Sequence, residues 1–362
     1  MKFKVQKNPF LDALSLVQNI VGSRQIPVLA NVLIVAEEGR LVFTTTDLDM
    51  TIRCSCEADV EEQGSVTLPV KKLSGIVREL NDGIIHIDAG EDAVASIRAG
   101  SFRSKMYGIP SKEFPKLPDA ENPLVYKIAQ GKLKDMLRKT FYAAAVDSSK
   151  PMLTGILLNF EAGKLTAVAT DGRRLALYET EVDFPDENKK DMVISQRAAA
   201  ELMKTLGDAD DAIVKLSGTQ LSFEFGEIYV ATKLLSGTYP NYRQVVIQNC
   251  ANVIAINREE LLAVIRRINA STTSTTSAMR LNFENNILTI TASSPEVGEA
   301  TDTVAIKYDG EPLSVIFNPE FMIDPLKNLT SDEIQIELNN STSPGLIKSD
   351  IPFLYVIMPL RV

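Results

Sequence analysis

Hydrophobic and polar residues alternate in three similar windows along the chain. Each window has a strand pattern, a short turn with Glu, Gly or Asn, a second strand, a polar break and a third strand. The windows are 27–54, 151–179 and 277–304. Before each window, apolar residues three and four positions apart predict a helix, over 8–22, 131–145 and 257–271 respectively. The repeating unit is therefore a strand, a helix and a three-stranded meander.

The same order of elements occurs a second time within each third of the chain. A short strand, a capping residue or proline, and a helix pattern occupy 66–80, 192–207 and 313–329. Breaks rich in Pro and Asn lie at 111–123 and 237–252. The sequence predicts an α+β protein of six β-α-β-β-β half-units. The half-units pair into three similar domains, with bounds 1–120, 121–249 and 250–362.

The composition is typical of a globular protein: of 362 residues, 45% are hydrophobic and 23% are charged. No run of about 18 apolar residues occurs, and the start MKFKVQKNPF has no apolar signal core, so we expect a cytoplasmic protein. Cys54, Cys56 and Cys250 are too few and too scattered for a disulfide framework. The single histidine, His86, lies in a strand pattern, so neither a metal site nor another cofactor is expected.

Short catalytic motifs are missing from the sequence as well. It has no GxxxxGK[ST] phosphate loop, no GxSxG nucleophile turn and no GxGxxG dinucleotide turn. The helix segments 7–24, 71–80, 131–142, 195–207, 257–269 and 318–329 together carry 15 Lys or Arg and 8 Asp or Glu, although the net charge of the chain is −9. If the repeats place all helices on one side of the sheets, that side is positive and the other is negative. The sequence therefore favours a binding protein over an enzyme.

Several short segments occur along the whole chain in a distinctive order. They are MKFKV, PVLANVLI, TTTDLDM, EFPKL, TDGRRLAL, TYPNYRQV and the terminal YVIMPLRV. In this order they resemble the bacterial DNA polymerase III beta subunit family, the sliding clamps. The resemblance implies the DNA clamp fold, in which three similar domains form half of a closed ring, with helices inside and sheets outside. It also implies a head-to-tail homodimer, whose contacts close the ring.

The function that this resemblance implies needs no catalytic residue. The ring would encircle duplex DNA without regard to sequence, and would tether the DNA polymerase III alpha subunit, the clamp loader and other proteins with a clamp-binding motif. A topological link prevents dissociation, whereas Lys and Arg contacts to phosphate are sequence-independent and weakened by salt. A tethered polymerase rebinds the primer end before it diffuses away, which makes synthesis processive. No membrane partner is implied.

In the family that the chain resembles, a partner-binding pocket lies between the second and third domains. The matching positions are Leu153, Thr170, Gly172, Arg173, Arg174, Leu175, Pro240, Gln244, Val245, Thr342, Pro344, Val356, Met358, Pro359, Leu360, Arg361 and Val362. Gly172 can adopt a positive φ and leaves room for a partner backbone. Aliphatic and Met side chains offer a groove to the apolar end of an extended peptide, and the arginines can bond its oxygens. Taken alone, TDGRRL is more typical of an exposed Asp-Gly turn.

DNA contacts follow partly from the resemblance and partly from position. Arg24 and Lys150 match DNA-facing loops of the family. The helix cations that could face the hole are Lys72, Arg78, Lys132, Arg138, Lys139, Arg197, Lys204, Arg266 and Arg267.

The dimer seam would join the segment SFRSKMYG in the first domain to NASTTST in the third. Its candidate residues are Phe102, Arg103, Lys105, Met106, Ala270, Ser271 and Thr272. The second segment is polar where relatives in the family have large aliphatic residues. We therefore expect a weaker dimer, which is held more by hydrogen bonds or is more sensitive to salt.

Two other functions stay open from the sequence. An enzyme built on repeated α+β domains could use the carboxylates of Asp47, Asp49 and Asp171, although a turn or an exposed strand edge also explains each of them. A peptide-binding scaffold that does not bind DNA would keep the same fold. Phosphatase assays with Mg²⁺ or Mn²⁺ test the enzyme, and loading onto circular DNA separates the scaffold from the clamp.

Overall fold

The computed structural model describes residues 1–21, 26–116, 122–185, 189–247, 250–271, 278–294 and 297–360. These residues form two compact units. Unit 1 consists of Met1–Gln130 and Lys204–Leu234, and unit 2 consists of Gly131–Met203 and Leu235–Val362.

The described residues contain six α-helices, which begin and end close to the predicted positions. They are α1 (Lys7–Val17), α2 (Val70–Glu79), α3 (Gln130–Thr140), α4 (Gln196–Thr205), α5 (Arg258–Ala270) and α6 (Pro319–Asn328). α1 ends before the predicted residue 22, because the N–H of Ile20 turns back to the carbonyl of Val17 at 3.3 Å. The Asn257 side chain caps α5 and that of Asn318 caps α6, each by accepting a first-turn N–H.

Unit 1 contains two antiparallel sheets. The first has the order β5-β1-β7-β8-β9, with β1 (Lys2–Gln6), β5 (Asp59–Glu62), β7 (Ile84–Ala89), β8 (Val94–Ala99) and β9 (Phe102–Tyr107). The second has the order β10-β15-β16-β17-β4-β3-β2-β6, with β2 (Asn31–Glu37), β3 (Arg40–Thr46), β4 (Met50–Glu57), β6 (Gly64–Pro69), β10 (Leu124–Ala129), β15 (Asp211–Ser217), β16 (Gln220–Phe225) and β17 (Ile228–Lys233).

Unit 2 also contains two antiparallel sheets. The eight-stranded sheet has the order β14-β11-β12-β13-β25-β24-β23-β18, with β11 (Gly155–Glu161), β12 (Lys164–Thr170), β13 (Arg174–Glu181), β14 (Lys190–Ser195), β18 (Asn252–Asn257), β23 (Glu333–Leu338), β24 (Gly345–Lys348) and β25 (Phe353–Ile357). The four-stranded sheet has the order β21-β20-β19-β22, with β19 (Met279–Glu284), β20 (Ile287–Ser294), β21 (Gly298–Ala305) and β22 (Leu313–Phe317).

The six half-units are confirmed, but their first strands are exchanged. β1 precedes α1 and lies beside β7, whereas β6 precedes α2 and lies beside β2. The same exchange places β10 beside β15, β14 beside β11, β18 beside β23 and β22 beside β19. The strands thus form six groups of four, each with three strands of one half-unit and the first strand of another. Each helix connects a strand of one group to a strand of another. The short strand β5 pairs with β1, and at the equivalent place in unit 2 Ala255 of β18 forms a single bridge with Lys307.

Apolar side chains of the helices and strands pack together within each unit. In unit 1, the ring of Phe10 from α1 lies 6.3 Å from that of Phe3 and 5.6 Å from that of Phe43. All three side chains are buried. In unit 2, α5 buries Leu261 and Ile265, which lie one helical turn apart. The 3.6-residue period that predicted the helices thus marks their buried faces.

Two strand pairs continue the sheets across the predicted domain bounds. β17 pairs with β4, which we call the first joint, and β13 pairs with β25, which we call the second joint. Each joint unites two four-stranded groups into one eight-stranded sheet. Because backbone hydrogen bonds cross the bounds, the two compact units do not follow the domains 1–120, 121–249 and 250–362. Those domain bounds stay a prediction.

Candidate partner-binding site

The segment between β12 and β13 is a tight turn that two side chains hold. One carboxylate oxygen of Asp171 accepts the N–H groups of Arg173 (2.8 Å) and Arg174 (3.0 Å). The Thr170 hydroxyl accepts the N–H of Gly172 at 3.1 Å and donates to the carbonyl of Arg174 at 2.6 Å. Gly172 has a φ of 87°, and a Cβ there would meet no heavy atom within 4 Å. Glycine is therefore favoured by the backbone conformation and not by lack of space.

Unit 1 has the same turn before β4. Asp47 accepts the N–H groups of Asp49 (3.0 Å) and Met50 (2.7 Å), and the Thr46 hydroxyl accepts the N–H of Leu48 (3.1 Å). Leu48 takes the place of the glycine, with a φ of 77°. The turn is thus a structural repeat. What distinguishes the turn in unit 2 is the pair of arginines that it presents.

Arg174 is enclosed by the protein. Its guanidinium donates to the carboxylates of Asp171 (3.0 Å) and Asp324 (2.5 Å) and to the carbonyl of Tyr142 (2.7 Å). Its Cζ lies 4.2 Å from the centre of the Phe321 ring. Only 11% of the side chain is exposed. Arg174 therefore fixes the turn to α6 and to the segment after α3, and it has little left to offer a partner.

Burial and charge shift several pKa values around Arg174. Burial alone would lower the pKa of Arg174, but Tyr355 and the carboxylate of Asp324 raise it above the usual value. Burial raises the pKa of Tyr142, and likewise that of Tyr355, well above the usual value of a phenol. The guanidinium consequently stays charged and both phenols stay neutral across the physiological range of pH.

Arg173 and Met358 lie together at the exposed end of the second joint, which we call its mouth. The N–H of Met358 donates to the carbonyl of Arg173 at 2.9 Å, which joins the turn to the residue after β25. Arg173 is exposed, and 42% of the surface of Met358 is accessible. The Arg173 Cζ lies 5.7 Å from the ring centre of Phe321. The two adjacent arginines therefore have different surroundings, since only Arg173 faces solvent.

Apolar side chains continue from this mouth along both strands of the second joint. Leu175 lies opposite Val356, and Leu177 lies opposite Leu354. Because side chains alternate along a strand, all four point to the same face of the sheet. The buried residues that pack around them are Met152, Leu157, Val168, Val193, Tyr239, Tyr242 and Leu346. We call this face the apolar strip of the second joint.

At the first joint, the corresponding strand positions are small or polar. Thr51 lies opposite Ala231, where the second joint has a Leu and a Val. Arg53 lies opposite Tyr229, and its Cζ is 4.7 Å from the centre of that ring. An apolar side chain of a partner would therefore desolvate a charged group here, which is unfavourable.

The equivalent end of the first joint also carries an exposed ion pair. The N–H of Lys233 donates to the carbonyl of Asp49 at 2.8 Å, as that of Met358 does to Arg173. The Lys233 Nζ then lies 3.1 Å from a carboxylate oxygen of Asp49. The backbone geometry of the two joints is thus the same, but the paired positions behind the mouth of the second joint are apolar and buried, with Leu175 3% and Val356 2% exposed.

Other predicted pocket residues come from segments beside this apolar strip. Leu153 is buried in the 3-10 helix Pro151–Thr154. Pro240, Gln244 and Val245 are exposed and flank Tyr242, which packs into the buried cluster.

The C-terminal residues of the predicted pocket meet at the ends of β24 and β25. Thr342 and Pro344 precede β24, whose first residue, Gly345, pairs with Ile357. β25 ends there, and Pro359 and Leu360 follow outside the sheet. Two predicted residues, Arg361 and Val362, lie outside the described residues.

Sequence reasoning missed several residues of the site. Leu177 continues the alternation that begins at Leu175 on the same strand, so the strand period could have identified it. Leu354 lies opposite Leu177 on the other strand of the joint. Asp324 and Phe321 carry no local signal, because they reach Arg174 only through the position of α6.

The structure corrects one predicted DNA contact. Lys139 is buried, with 4% of its side chain exposed, because its ammonium pairs with Asp135 and lies 4.9 Å from the ring centre of Tyr178. The other predicted cations that the structure describes are exposed, namely Lys72, Arg78, Lys132, Arg138, Lys150, Arg197, Lys204, Arg266 and Arg267. Arg24 lies outside the described residues.

The predicted dimer residues that the structure describes lie on the edge strand β9 and at the C-terminal end of α5. Phe102, Arg103, Lys105 and Met106 belong to β9, an edge strand, and all but Met106 are exposed. Ala270 is the last residue of α5. Ser271 follows as its C-cap residue, and Thr272 is outside the described residues.

The carboxylates of the alternative enzyme have structural roles. Asp47 and Asp171 bond the backbone of their turns, and Asp49 pairs with Lys233. Burial raises the pKa of Cys54 to about 12 and that of Cys56 to about 11, so neither is an activated thiol. Among the described residues, no group of three or more His, Cys, Asp or Glu is placed to hold a metal ion.

Three models of one family match successive parts of the chain. They describe the N-terminal domain of the DNA polymerase III beta subunit (residues 1–118), its central domain (127–241) and its C-terminal domain (243–361). The beta sliding clamp of Chlamydia trachomatis is 34% identical over 363 residues, covering 100% of this chain and 87% of the relative. That of Pseudomonas aeruginosa is 30% identical and is covered over 100% of both chains.

Solved structures show the same similarity. The sliding clamp of Pseudomonas aeruginosa bound to griselimycin has a TM-score of 0.95 and 30% identity, with 100% of both chains covered. The DNA polymerase sliding clamp of Bacillus subtilis has a TM-score of 0.95 and 28% identity, covering 100% of this chain and 99% of the other. None of the helices that the structure describes is long and apolar enough to cross a membrane.

The positive φ of Gly172 leads to a prediction about stability. Gly172→Ala should lower the free energy of unfolding of unit 2 by about 1 kcal/mol, because an L-residue is strained in this region of φ. Gly75→Ala is the matched control: it lies in α2 with open space around it, so alanine should stabilise that helix by up to about 1 kcal/mol. Thermal unfolding of both variants measures whether each substitution lowers or raises the stability. Equal shifts would show that φ at Gly172 is not the cause.

The contrast between Arg173 and Arg174 leads to a second prediction. Arg174→Met leaves the carboxylate of Asp324 and a carbonyl without their cation, so we expect a loss of roughly 3 kcal/mol and a fall of about 5–10 °C in unfolding temperature. Arg173→Met removes an exposed cation of the same turn and should change the unfolding temperature by about 1 °C or less. Calorimetry on the two variants compares them directly, and similar losses from both would contradict the assignment.

Proposed function

The chain belongs to the DNA polymerase III beta subunit family, the beta sliding clamps, and we propose that the apolar strip of its second joint holds the proteins that it tethers. As a member of that family, it is a non-catalytic processivity subunit. It encircles duplex DNA as a head-to-tail homodimer and tethers the replicative polymerase and other DNA-processing proteins. The observation that supports the partner site is the strip itself, since the equivalent face of the first joint is polar.

Processivity follows from topology and weak contacts. A closed ring leaves duplex DNA only by opening or by reaching a free end, so no strong bond to the DNA is required. Exposed Lys and Arg side chains of the helices offer contacts to phosphate, which are sequence-independent and exchange readily with counterions. The tethered polymerase is kept at a high local concentration near the primer end.

For the DNA contacts, we retain the exposed helix and loop cations described above and leave out Lys139. Arg24 is retained from the resemblance. Support comes from their exposure, since a phosphate can reach a cation only if the protein does not enclose it. We also retain the domain bounds 1–120, 121–249 and 250–362 as part of the proposal. We place the activity in the cytoplasm, where a bacterium replicates its DNA.

In the partner site, the predicted residues take different roles. The apolar end of a partner peptide lies on the strip that begins at Leu175 and Val356, next to Met358. The exposed guanidinium of Arg173 bonds a carbonyl or carboxylate of the peptide. Arg174 acts as a positioning residue, because Asp171 and Asp324 already engage its guanidinium. The open position of Gly172 lets the peptide backbone approach the turn.

The homodimer follows from the same strand pairing that forms the two joints. The joints pair the last strand of one half-unit with the last strand of another, as β17 with β4 and β25 with β13. In the described chain, the corresponding strands β9 and β21 are edge strands. We therefore propose a third joint, between β9 of one copy and β21 of a second copy, which closes the ring at two places.

The repeat also fixes the register of this third joint. In each four-stranded group, equivalent residues can be identified by following the strand pairs from the residues before the helix to the last strand. Lys105 on β9 is then equivalent to Val356 on β25 and to Ala231 on β17. In the same way, Glu299 on β21 is equivalent to Leu175 on β13 and to Thr51 on β4. Lys105 of one copy then lies opposite Glu299 of the other. An ion pair would thus occupy the place of an apolar pair, which fits the predicted salt sensitivity.

A charge exchange tests this register. Lys105→Glu or Glu299→Lys places like charges opposite each other at both joints of the ring, at a cost of about 1 kcal/mol for each joint. We expect the dimer Kd to rise about 30-fold in each single variant. The double variant restores opposite charges and should recover the dimer. Sedimentation equilibrium at low salt measures the Kd of each variant.

Lys112→Glu is the matched control, because Lys112 is an exposed lysine outside β9 and should leave the dimer Kd unchanged. A double variant that is weaker than either single variant would exclude the proposed register. The effect of the single variants should shrink in about 1 M salt, where exposed charges are screened within about 3 Å.

Retention on DNA tests the proposed function as a whole. The protein is loaded onto nicked circular DNA with a clamp loader and ATP, and gel filtration follows with or without one restriction cut. A ring held by topology stays with the circle, survives salt that removes phosphate contacts, and is lost after the cut. Retention on both forms would identify an ordinary DNA-binding protein. If the protein is not loaded at all, the peptide-binding scaffold becomes the favoured function.

A further inference from the structure

The apolar strip does not end at the predicted pocket. Beyond Leu175 and Val356 it opens into a cleft of about 500 Å³ at the far end of the second joint. The apolar lining of this cleft consists of Leu177, Leu354, Tyr242, Val246, Ile351, Pro352 and Phe353. None of these residues is among the predicted pocket positions.

Strand geometry makes the cleft continuous with the pocket. Leu177 follows Leu175 by two residues and Leu354 precedes Val356 by two, so each pair lies on one face of its strand. Leu177 and Leu354 are directly opposite each other across the joint and are only partly buried. Leu175 and Val356 are themselves only 3% and 2% exposed, so a peptide reaches from the mouth to Leu177 and Leu354 by passing over the residues that cover this pair.

The charged residues at the rim of the cleft are already paired. The Arg243 guanidinium lies 2.9 Å from the carboxylate of Glu161, and the Lys348 ammonium lies 2.8 Å from that of Glu337. Glu179 has Lys164 at 3.7 Å. A charged ligand group would have to compete with these partners. The lining thus favours an uncharged aliphatic side chain, whose burial is favourable in water.

One polar atom at the cleft is also unsatisfied. The Ser349 hydroxyl is shielded from solvent and has no hydrogen-bond partner among the described residues. Because this oxygen is enclosed, the surface that a ligand would meet in the cleft is the apolar lining. The first joint offers no such site, because Arg53 and Tyr229 occupy the positions of Leu177 and Leu354 there.

We propose that this cleft is a further subsite of the partner site, which takes an aliphatic side chain flanking the apolar end of the same partner peptide. This inference rests on the proposed function of the second joint. It assigns to Leu177 and Leu354 a specificity role: partners with an aliphatic flanking residue are held more tightly than partners with a polar one.

Peptide binding tests the subsite without any change to the protein. The probes are a labelled six-residue peptide with a Leu-Phe end, and the same peptide lengthened at each terminus in turn by Gly-Leu-Gly or by Gly-Ser-Gly. At one terminus, the Leu extension should bind about tenfold more tightly than the Ser extension in fluorescence polarisation. Equal affinities at both termini, with the short peptide bound, overturn the subsite and leave the proposed function intact. Failure of the short peptide to bind overturns both.

Protein variants then locate the gain. Leu177→Thr and Leu354→Thr keep strand-forming residues and should remove most of the tenfold gain, while the short peptide keeps its affinity within about twofold. Val253→Thr is the control, because Val253 is 54% exposed on β18 and does not line the cleft. Unfolding temperatures confirm that each variant is folded. A gain that survives in both leucine variants places the flanking side chain elsewhere and excludes the subsite.

Discussion

Every four-stranded group in this chain ends in a strand whose outer N–H and carbonyl groups need partners, and the rest of the architecture depends on how they are satisfied. Unpaired edges bind other strands indiscriminately and are a hazard for a soluble protein. Here β4 supplies the hydrogen-bond partners of β17, and β13 supplies those of β25, so each eight-stranded sheet consists of two four-stranded groups. In the proposed third joint, the same requirement at β9 and β21 would be met by a second copy that supplies the missing strand.

One backbone arrangement then supports three different kinds of joint. The inner pair is Thr51 with Ala231 at the first joint and Leu175 with Val356 at the second. At the proposed third joint it is an ion pair. Small residues allow close pairing, whereas the apolar pair is buried, and its partly exposed neighbours Leu177 and Leu354 are the surface left for a ligand. An exposed ion pair contributes little and is screened by salt, which suits a contact that must open for DNA to enter.

The sequence was sufficient for the elements and their repeat, because amphipathic periods of 3.6 and 2 residues are local properties. It was not sufficient for the exchange of first strands between half-units, since β1 and β7 are brought together by the chain's path and not by a local signal. In the site, the turn at Gly172 was predicted from its residues. The burial of Lys139 and the enclosure of Arg174 were not, because Tyr178 and Asp324 reach them from other elements.

The adjacent arginines show why a sequence doublet need not share a role. β13 begins at Arg174, whose side chain is directed into the protein, whereas Arg173 still belongs to the turn and is exposed. Asp171 bonds the turn from within, and Met358 bonds it from the end of β25. The mouth of the second joint is therefore ordered before a peptide arrives. Because ordering flexible groups is a main cost of association, a turn fixed by Arg174 would let Arg173 contribute more of its interaction to affinity in the proposed partner site.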